Sequence, residues 1–306
     1  MKLRTAAGKI IMIIFWIGVG LVALAAILLG IYLLQIHNTN GQIDSTGQKR
    51  DYLVYVPKSY KPNVLTPLVI SIHGYAEWPA HQMEISRWND LADENGFIVV
   101  YPAGTGFPPH WSSSGVDSHK EVQFISDLID QMEGQYTIDP ARIYANGLSN
   151  GGGMSFLLSC ELADRIAAVG GVSGAYLLAW NDCNPIRPVP FIIFHGTADP
   201  IVPFEGGRSS AFNYSFPSIQ DWVRALAKHN GCAETPAALP ASGEVSGVSY
   251  SQCSHNADVV FYTIRGGGHA WPGGPAMPPA IVGHTTQDIN ATRVIWEFFK
   301  LHPLEK

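Results

Sequence analysis

From Ile10 to Leu34 the chain runs 25 residues without a charge, IIMIIFWIGVGLVALAAILLGIYLL. As a helix that run spans about 37 Å at about 1.5 Å per residue, enough to cross a bilayer with some tilt. Beyond it the pattern changes to short apolar runs: YLVYV (52–56), PLVISI (67–72), FIVVY (97–101), RIYAN (142–146), IAAVGGV (166–172), PFIIF (190–194) and VVFYTI (259–264). Several are apolar without alternation, as expected of parallel strands covered on both faces. Helical patterns lie between them. EISRWNDLADENG has apolar residues at 85, 88 and 91 and stops at Gly96, and EVQFISDLIDQME has them at 122, 124, 125, 128, 129 and 132. SIQDWVRALAKHNG and ATRVIWEFFKLH behave similarly. Strand alternating with helix predicts an α/β fold with a doubly wound, mostly parallel sheet.

Composition sharpens the first segment. The 306 residues are 46% hydrophobic and only 14% charged, and much of that apolar content sits in the single run. A cleaved signal peptide is the competing reading, but its apolar core is usually about 7 to 15 residues and ends in a small-x-small site. This run is longer, and LLQIHNTNG after it offers no such site, so an uncleaved transmembrane signal anchor is expected. Lys2, Arg4 and Lys9 precede it, whereas residues 35–47 carry only Asp44. The positive-inside rule leaves residues 1–9 in the cytoplasm and the rest outside, or secreted if the segment is cleaved. The expected layout is a membrane segment over 10–34, a polar linker over 35–49 and one α/β domain over 50–306.

Of 19 cations against 25 anions, 16 cations lie beyond the apolar run and form no basic cluster, which argues against nucleic acid as a partner. No Walker loop, dinucleotide fingerprint or metal-ligand spacing appears, so no cofactor and no metal is expected. Oligomeric state is left open. Cys160, Cys183, Cys232 and Cys253 make no C-x-x-C pair. Four cysteines in an extracytoplasmic domain favour disulfides over buried thiols, with three connectivities. Pairing of neighbours, Cys160–Cys183 and Cys232–Cys253, is preferred. Each bridge closes a loop worth about 3 kcal/mol in the chain-entropy model.

Candidate chemistry begins at YANGLSNGGG, residues 144–153. Gly147-Leu148-Ser149-Asn150-Gly151 fits G-x-S-x-G, the turn that exposes a nucleophilic serine. Alone it is weak evidence, and a glycine-rich loop is the bland alternative. Here it follows the strand RIYAN and precedes MSFLLSCEL, which has helical composition, so strand, motif and helix come in immediate succession. A serine needs a base, and the base an orienting acid, in the chain order Ser, Asp or Glu, His. Asp199 follows PFIIF in a turn marked by Gly196 and Pro200, and His269 follows VVFYTI on a glycine-rich loop. Asp164 and Asp182 precede PFIIF and fit less well. His195 reads as a packed residue shaping the Asp199 turn, and His110 and His284, in loops, as surface histidines, with substrate contact the alternative for either. The backbone N–H of Asn150 and that of Tyr75, on the loop after PLVISI, are the expected oxyanion donors, with Ala76 the alternative to Tyr75.

With those residues in place, the chain resembles the secreted poly(3-hydroxybutyrate) depolymerase and feruloyl esterase group of α/β-hydrolases. The resemblance runs from about Arg50 to His302 and is carried by LVYVPKSY, PLVISIHGY, YTIDPARIYANGLSNGGGMSFLLSC, DRIAAVGGVSG, RPVPFIIFHGTADPIVPFEGG, GGGHAWPGG and IWEFFKLHP. It implies an α/β-hydrolase fold, with Ser149 as nucleophile, Asp199 as acid and His269 as base, and it supports the same cysteine pairing. The implied activity is hydrolysis of hydroxyalkanoate oligomer, feruloyl or acetyl esters through an acyl-enzyme. A serine peptidase on this scaffold and a catalytically silent binding protein are the alternatives. The chain departs from the group in two places. Lys120 stands where relatives often have the first of two acids, and Tyr75 where they tend to have a small residue or Cys. It also carries no separate polymer-binding domain. These departures bear on polymer degradation and leave the esterase chemistry untouched. Only about eighteen residues separate IAAVGGV from PFIIF, too few for a large lid, so an open site is expected, with Trp111, Trp271 and Tyr75 as a platform for the acyl group; packing under a loop is an equal alternative for the Trp beside Pro272.

Overall fold

The computed structural model describes residues 2–36 and 38–305, and in it the charge-free run lies inside one helix, α1 (Lys2–Ile36). Met1, His37 and Lys306 lie outside the described residues, as do the side chains of residues 2–8 and 10 and with them two of the expected flanking cations, Lys2 and Arg4. Ile11–Ile36 has a mean hydropathy of 2.8 and buries none of that surface. Residues up to Asn38 form one unit and residues from Thr39 a second.

In the second unit the strands are β1 (Gly41–Ser45), β2 (Gln48–Tyr55), β3 (Thr66–Ile72), β4 (Ile98–Pro102), β5 (Ile138–Leu148), β6 (Ala168–Val172) and β7 (Phe191–Gly196). A small ribbon, β8 (Gly207–Arg208) with β9 (Ser215–Phe216), is followed by β10 (Ala237–Ser242), β11 (Val245–Tyr250) and β12 (Val259–Ile264). Ten strands form one sheet in the order β1-β2-β4-β3-β5-β6-β7-β12-β11-β10. The centre, from β4 to β12, is parallel, and antiparallel strands close both edges. All seven apolar runs became strands of this sheet. Three others carried too little apolar signal: β10 is almost wholly exposed, β11 pairs it, and β1 is polar.

That last strand corrects the expected linker over 35–49. Residues 41–45 pair with β2, and Asn40 both donates to the Val54 carbonyl at 2.9 Å and accepts from its N–H at 2.8 Å. Polar, exposed edge strands look like linkers because backbone pairing, which sequence polarity does not report, holds them.

Helices cover both faces. Successive residues of a strand point to opposite sides, so Leu68, Ile70 and Ile72 of β3 join one core, with α4 (Ser118–Gln135), α5 (Asn150–Glu161) and α6 (Ile219–His229). Val69 joins the other, with α3 (Trp88–Asn95) and α8 (Ala291–Leu301), where Trp88, Tyr144 and Phe299 stack. The pattern over 84–96 predicted one helix. The structure breaks it at Arg87, whose φ of 55° ends α2 (Pro79–Ser86) and begins α3 at a new angle. A short helix, α7 (Pro279–Val282), precedes α8. Cys160–Cys183 and Cys232–Cys253 are bonded as preferred.

Candidate active site

Ser149 sits between β5 and α5 with φ 55° and ψ −116°, a conformation that costs a non-glycine residue of order 1–3 kcal/mol. The neighbouring glycines explain how the turn closes. A Cβ on Gly147 would lie 2.3 Å from the Gly151 carbonyl carbon, and one on Gly151 would lie 2.2 Å from the Ile72 oxygen. Only glycine lets α5 start this close to β3. The serine's own N–H is bound to the Val172 carbonyl at 2.9 Å, which fastens the turn to β6.

Asp199 lies just past β7 and His269 just past β12, neighbouring parallel strands, so side chains some seventy residues apart meet. The His269 Nδ1–Asp199 Oδ2 distance is 2.8 Å. Asp199 Oδ1 accepts the N–H groups of Ile201 and Val202, each at 2.8 Å. His195 is fully buried, donates from Nε2 toward the Val202 carbonyl at 2.9 Å and lies 3.3 Å from Asp199 Oδ2, the packed role expected of it. Burial pushes the Asp199 carboxyl up, but the charge of His269 and the hydrogen bonds from His195 and His269 outweigh it and hold the group far below the usual carboxylate range. Ser149 and His269 line one cavity of about 310 Å³, together with residues 74–78, Trp271, Met277 and Ile281. A second cavity of about 300 Å³ opens on the other side of Ser149, between Tyr75, Ser112–Ser114, Asn150, Phe212 and Tyr214. Tyr75 and Phe212, with rings 5.1 Å apart, border both.

The two N–H groups expected to face an oxyanion are placed differently from their neighbours. Ala76 N–H is taken by the Pro109 carbonyl at 2.8 Å, which removes the alternative. Among the described residues, Tyr75 N–H and Asn150 N–H donate to no protein acceptor. The Asn150 side chain accepts from Trp111 N–H at 2.7 Å and donates to its carbonyl at 3.0 Å.

Trp111 lines the second cavity and Trp271 the first, but each is nearly closed to solvent. Trp111 is 2% exposed and donates its indole N–H to the His73 carbonyl; Trp271 is 3% exposed and donates to Thr292. The open aromatic surface is Tyr75, 41% exposed, and Tyr214, 57% exposed. Phe212 and Tyr214 escaped the sequence reading, although SAFNYSF, an aromatic pattern shortly after Asp199, was the available signal. His110 lines the second cavity. His284 lies on the surface against Glu244 at 2.8 Å. The departure at Lys120 is equally remote: it pairs with Asp117 in solvent, while the adjacent Glu121 is buried against Arg50 at 2.8 Å.

Helices on both faces of a mostly parallel sheet, with these side chains on loops beyond the strand ends, make the fold that of an α/β-hydrolase. It is similar to that of an acetyl xylan esterase from Aspergillus awamori, with a TM-score of 0.60 at 16% identity over 85% of this chain and 98% of that one. Residues 50–183 match the model of the esterase PHB depolymerase family. Over 168 residues it is 36% identical to a bifunctional acetylxylan esterase/xylanase from Neocallimastix patriciarum, covering 55% of this chain. Over 270 residues it is 28% identical to feruloyl esterase C from Emericella nidulans, covering 85% of this chain. The chain spans 24% of the length of the first relative and 87% of the second.

Proposed function

We propose that the protein is a serine carboxylic-ester hydrolase that works through an acyl-enzyme, with Ser149 as nucleophile, His269 as general base and Asp199 as its orienting acid. The observation that carries this reading is the His269–Asp199 bond on one wall of the cavity that Ser149 enters from a strained turn. His269 Nε2 takes the Oγ proton as Oγ attacks the ester carbonyl. Tyr75 N–H and Asn150 N–H receive the oxyanion, and loss of one such donor typically costs about 10²–10³ in turnover. His269 returns the proton to the leaving alcohol, and water then repeats the sequence to free the acid.

The proton transfer assigns the two cavities. The leaving oxygen must lie within reach of His269, so the alcohol occupies the cavity that His269 lines, and the acyl group takes the other. Its volume, aromatic rings and three serine hydroxyls suit a bulky, oxygen-bearing acyl group such as feruloyl or a hydroxyalkanoate oligomer better than acetyl. A ring-bearing acyl group buries more apolar surface there, at roughly 25 cal/mol per Å².

The test compares p-nitrophenyl ferulate with p-nitrophenyl acetate in the wild type and in Ser149→Ala. The ferulate should show the higher kcat/KM, and the variant should lose turnover on both by about 10³-fold or more. Turnover retained in Ser149→Ala would overturn the nucleophile. A preference for acetate would overturn the cavity assignment alone.

The apolar helix α1 is read as a signal anchor, with the hydrolase unit on the outer side where its two disulfides persist.

A further inference from the structure

The loop that follows β3, residues 73–78, is held by groups with no place in the proton-transfer chain. His73 is fully buried. Its Nε2 accepts the Gly104 N–H at 2.9 Å, so that nitrogen is unprotonated and the proton sits on Nδ1. Nδ1 then donates to the carbonyl of the next residue, Gly74, at 2.7 Å. Glu77 grips the same residue from the other side. Its Oε2 accepts Gly74 N–H at 2.8 Å, and its own N–H reaches the Gly74 carbonyl at 3.3 Å. Gly74 therefore has both peptide groups occupied, and a Cβ there would meet Glu77 Oε2 at 2.9 Å.

The consequence follows from peptide geometry. The Gly74 carbonyl and Tyr75 N–H belong to one planar trans unit and point in opposite directions. Fixing the carbonyl on His73 and Glu77 fixes where Tyr75 N–H aims. We propose that His73 and Glu77 are positioning residues that orient the Gly74–Tyr75 peptide so that Tyr75 N–H is preset toward the oxyanion formed at Ser149. This rests on the esterase reading of Ser149 and extends it to residues outside the proton-transfer chain.

His81 backs Glu77 at 3.6 Å. The far side of His73 is anchored to the 104–111 segment, the same segment that holds Asn150 through Trp111, so both oxyanion donors are braced from one loop. A displacement of about 1 Å in such a group costs up to about 10² in rate.

The experiment measures kcat, KM and the affinity of an aryl trifluoromethyl ketone, which forms a tetrahedral oxyanion adduct. The chains compared are the wild type, Ser149→Ala, Glu77→Ala, Glu77→Gln, His73→Gln and His73→Asn. Glu77→Ala and His73→Gln should lose about 10- to 10²-fold in kcat with KM within about twofold, and ketone affinity should fall in step. Glu77→Gln keeps an acceptor for Gly74 N–H, and His73→Asn keeps a donor where Nδ1 stood, so both should recover most of the loss. Should His73→Gln fail to fold, the Glu77 pair carries the test at the cavity margin. An inactive Ser149→Ala beside unchanged kcat and ketone affinity in Glu77→Ala overturns the positioning role and leaves the nucleophile standing. Equal losses in Glu77→Ala and Glu77→Gln overturn it too. Turnover in Ser149→Ala overturns the esterase reading beneath it.

Discussion

Buried histidines divide the work of this site by what each nitrogen faces. His269 has one nitrogen on Asp199, whereas His73 has both nitrogens committed to backbone, one accepting and one donating. Burial therefore pushes the His73 imidazole down to about 4, offset only in part by its bond to the Gly74 carbonyl and by the nearby Glu77 charge. For Glu77 and His81 burial opposes the charge, but their pairing prevails, lowering Glu77 and raising His81. In an unfolded chain the residue 73 imidazole titrates near its ordinary 6.5. Between pH 6.5 and 4 the unfolded state thus binds a proton that the folded state refuses, and stability falls as pH falls. At 1.36 kcal/mol per unit this contribution reaches roughly 3 kcal/mol by pH 4. Asp199, depressed instead below the carboxylate range, adds its own loss only at lower pH. Urea denaturation at pH 6.5, 5 and 4 should show a shallower decline for His73→Asn than for the wild type; parallel declines would refute the assignment of that proton to His73. Sequence made the strand-end placement of Ser149, Asp199 and His269 legible because strand-end position and chain order are one-dimensional properties. Glu77 was not legible, because its partner is a backbone N–H three residues away, in a turn whose closure no pattern reports.

At the scale of elements, the turn from β5 into α5 decides how the rest can pack. The glycine run reads in sequence as either a loose loop or a tight strand-to-helix turn, and flanking strand and helix patterns separated the two. What sequence left out is which glycines are obligatory. Gly151 faces the Ile72 and His73 carbonyl oxygens, at 2.2 and 2.6 Å from where a Cβ would stand, and neither can retreat because Ile72 ends β3 and the His73 carbonyl holds the Trp111 indole. Gly134 in α4 meets nothing within 4 Å. Gly151→Ala should therefore lower stability by about 1–3 kcal/mol through overpacking and reduce kcat as the helix shifts from β3. Gly134→Ala should leave both intact or raise stability slightly, since alanine favours helix. Thermal denaturation of the two variants side by side checks this, and equal midpoints would refute the close approach. The tryptophans teach the same lesson. Trp-Pro at 271–272 and Trp-Ser at 111–112 look alike as surface or core, and only the indole bonds to Thr292 and His73 fix them as nearly closed walls of the two cavities.

At the scale of the molecule, two units differ in the solvent that suits them. Residues 11–36 expose an apolar helix with mean hydropathy 2.8, far more than a water-facing helix tolerates, whereas the unit from Thr39 buries its apolar faces against its own sheet. The unit from Thr39 has its own core, its own two disulfides and an edge strand that begins at Gly41, with Asn40 tied to Val54. A fragment starting at Thr39 keeps all of these, and one starting at Arg50, the boundary read from sequence, removes β1 and leaves the β2 edge unpaired. The Thr39 fragment should be soluble without detergent when produced in an oxidising compartment, with kcat/KM on p-nitrophenyl esters within about twofold of the full chain. The Arg50 fragment should aggregate or unfold at lower temperature, because an open, untwisted edge pairs with other chains. The full chain should stay in the membrane pellet through alkaline carbonate extraction, as a spanning helix does. Recovery of a shortened product in the soluble fraction after expression of the full chain, with an N-terminus beyond Ile36 by mass, would replace the anchor with a cleaved signal.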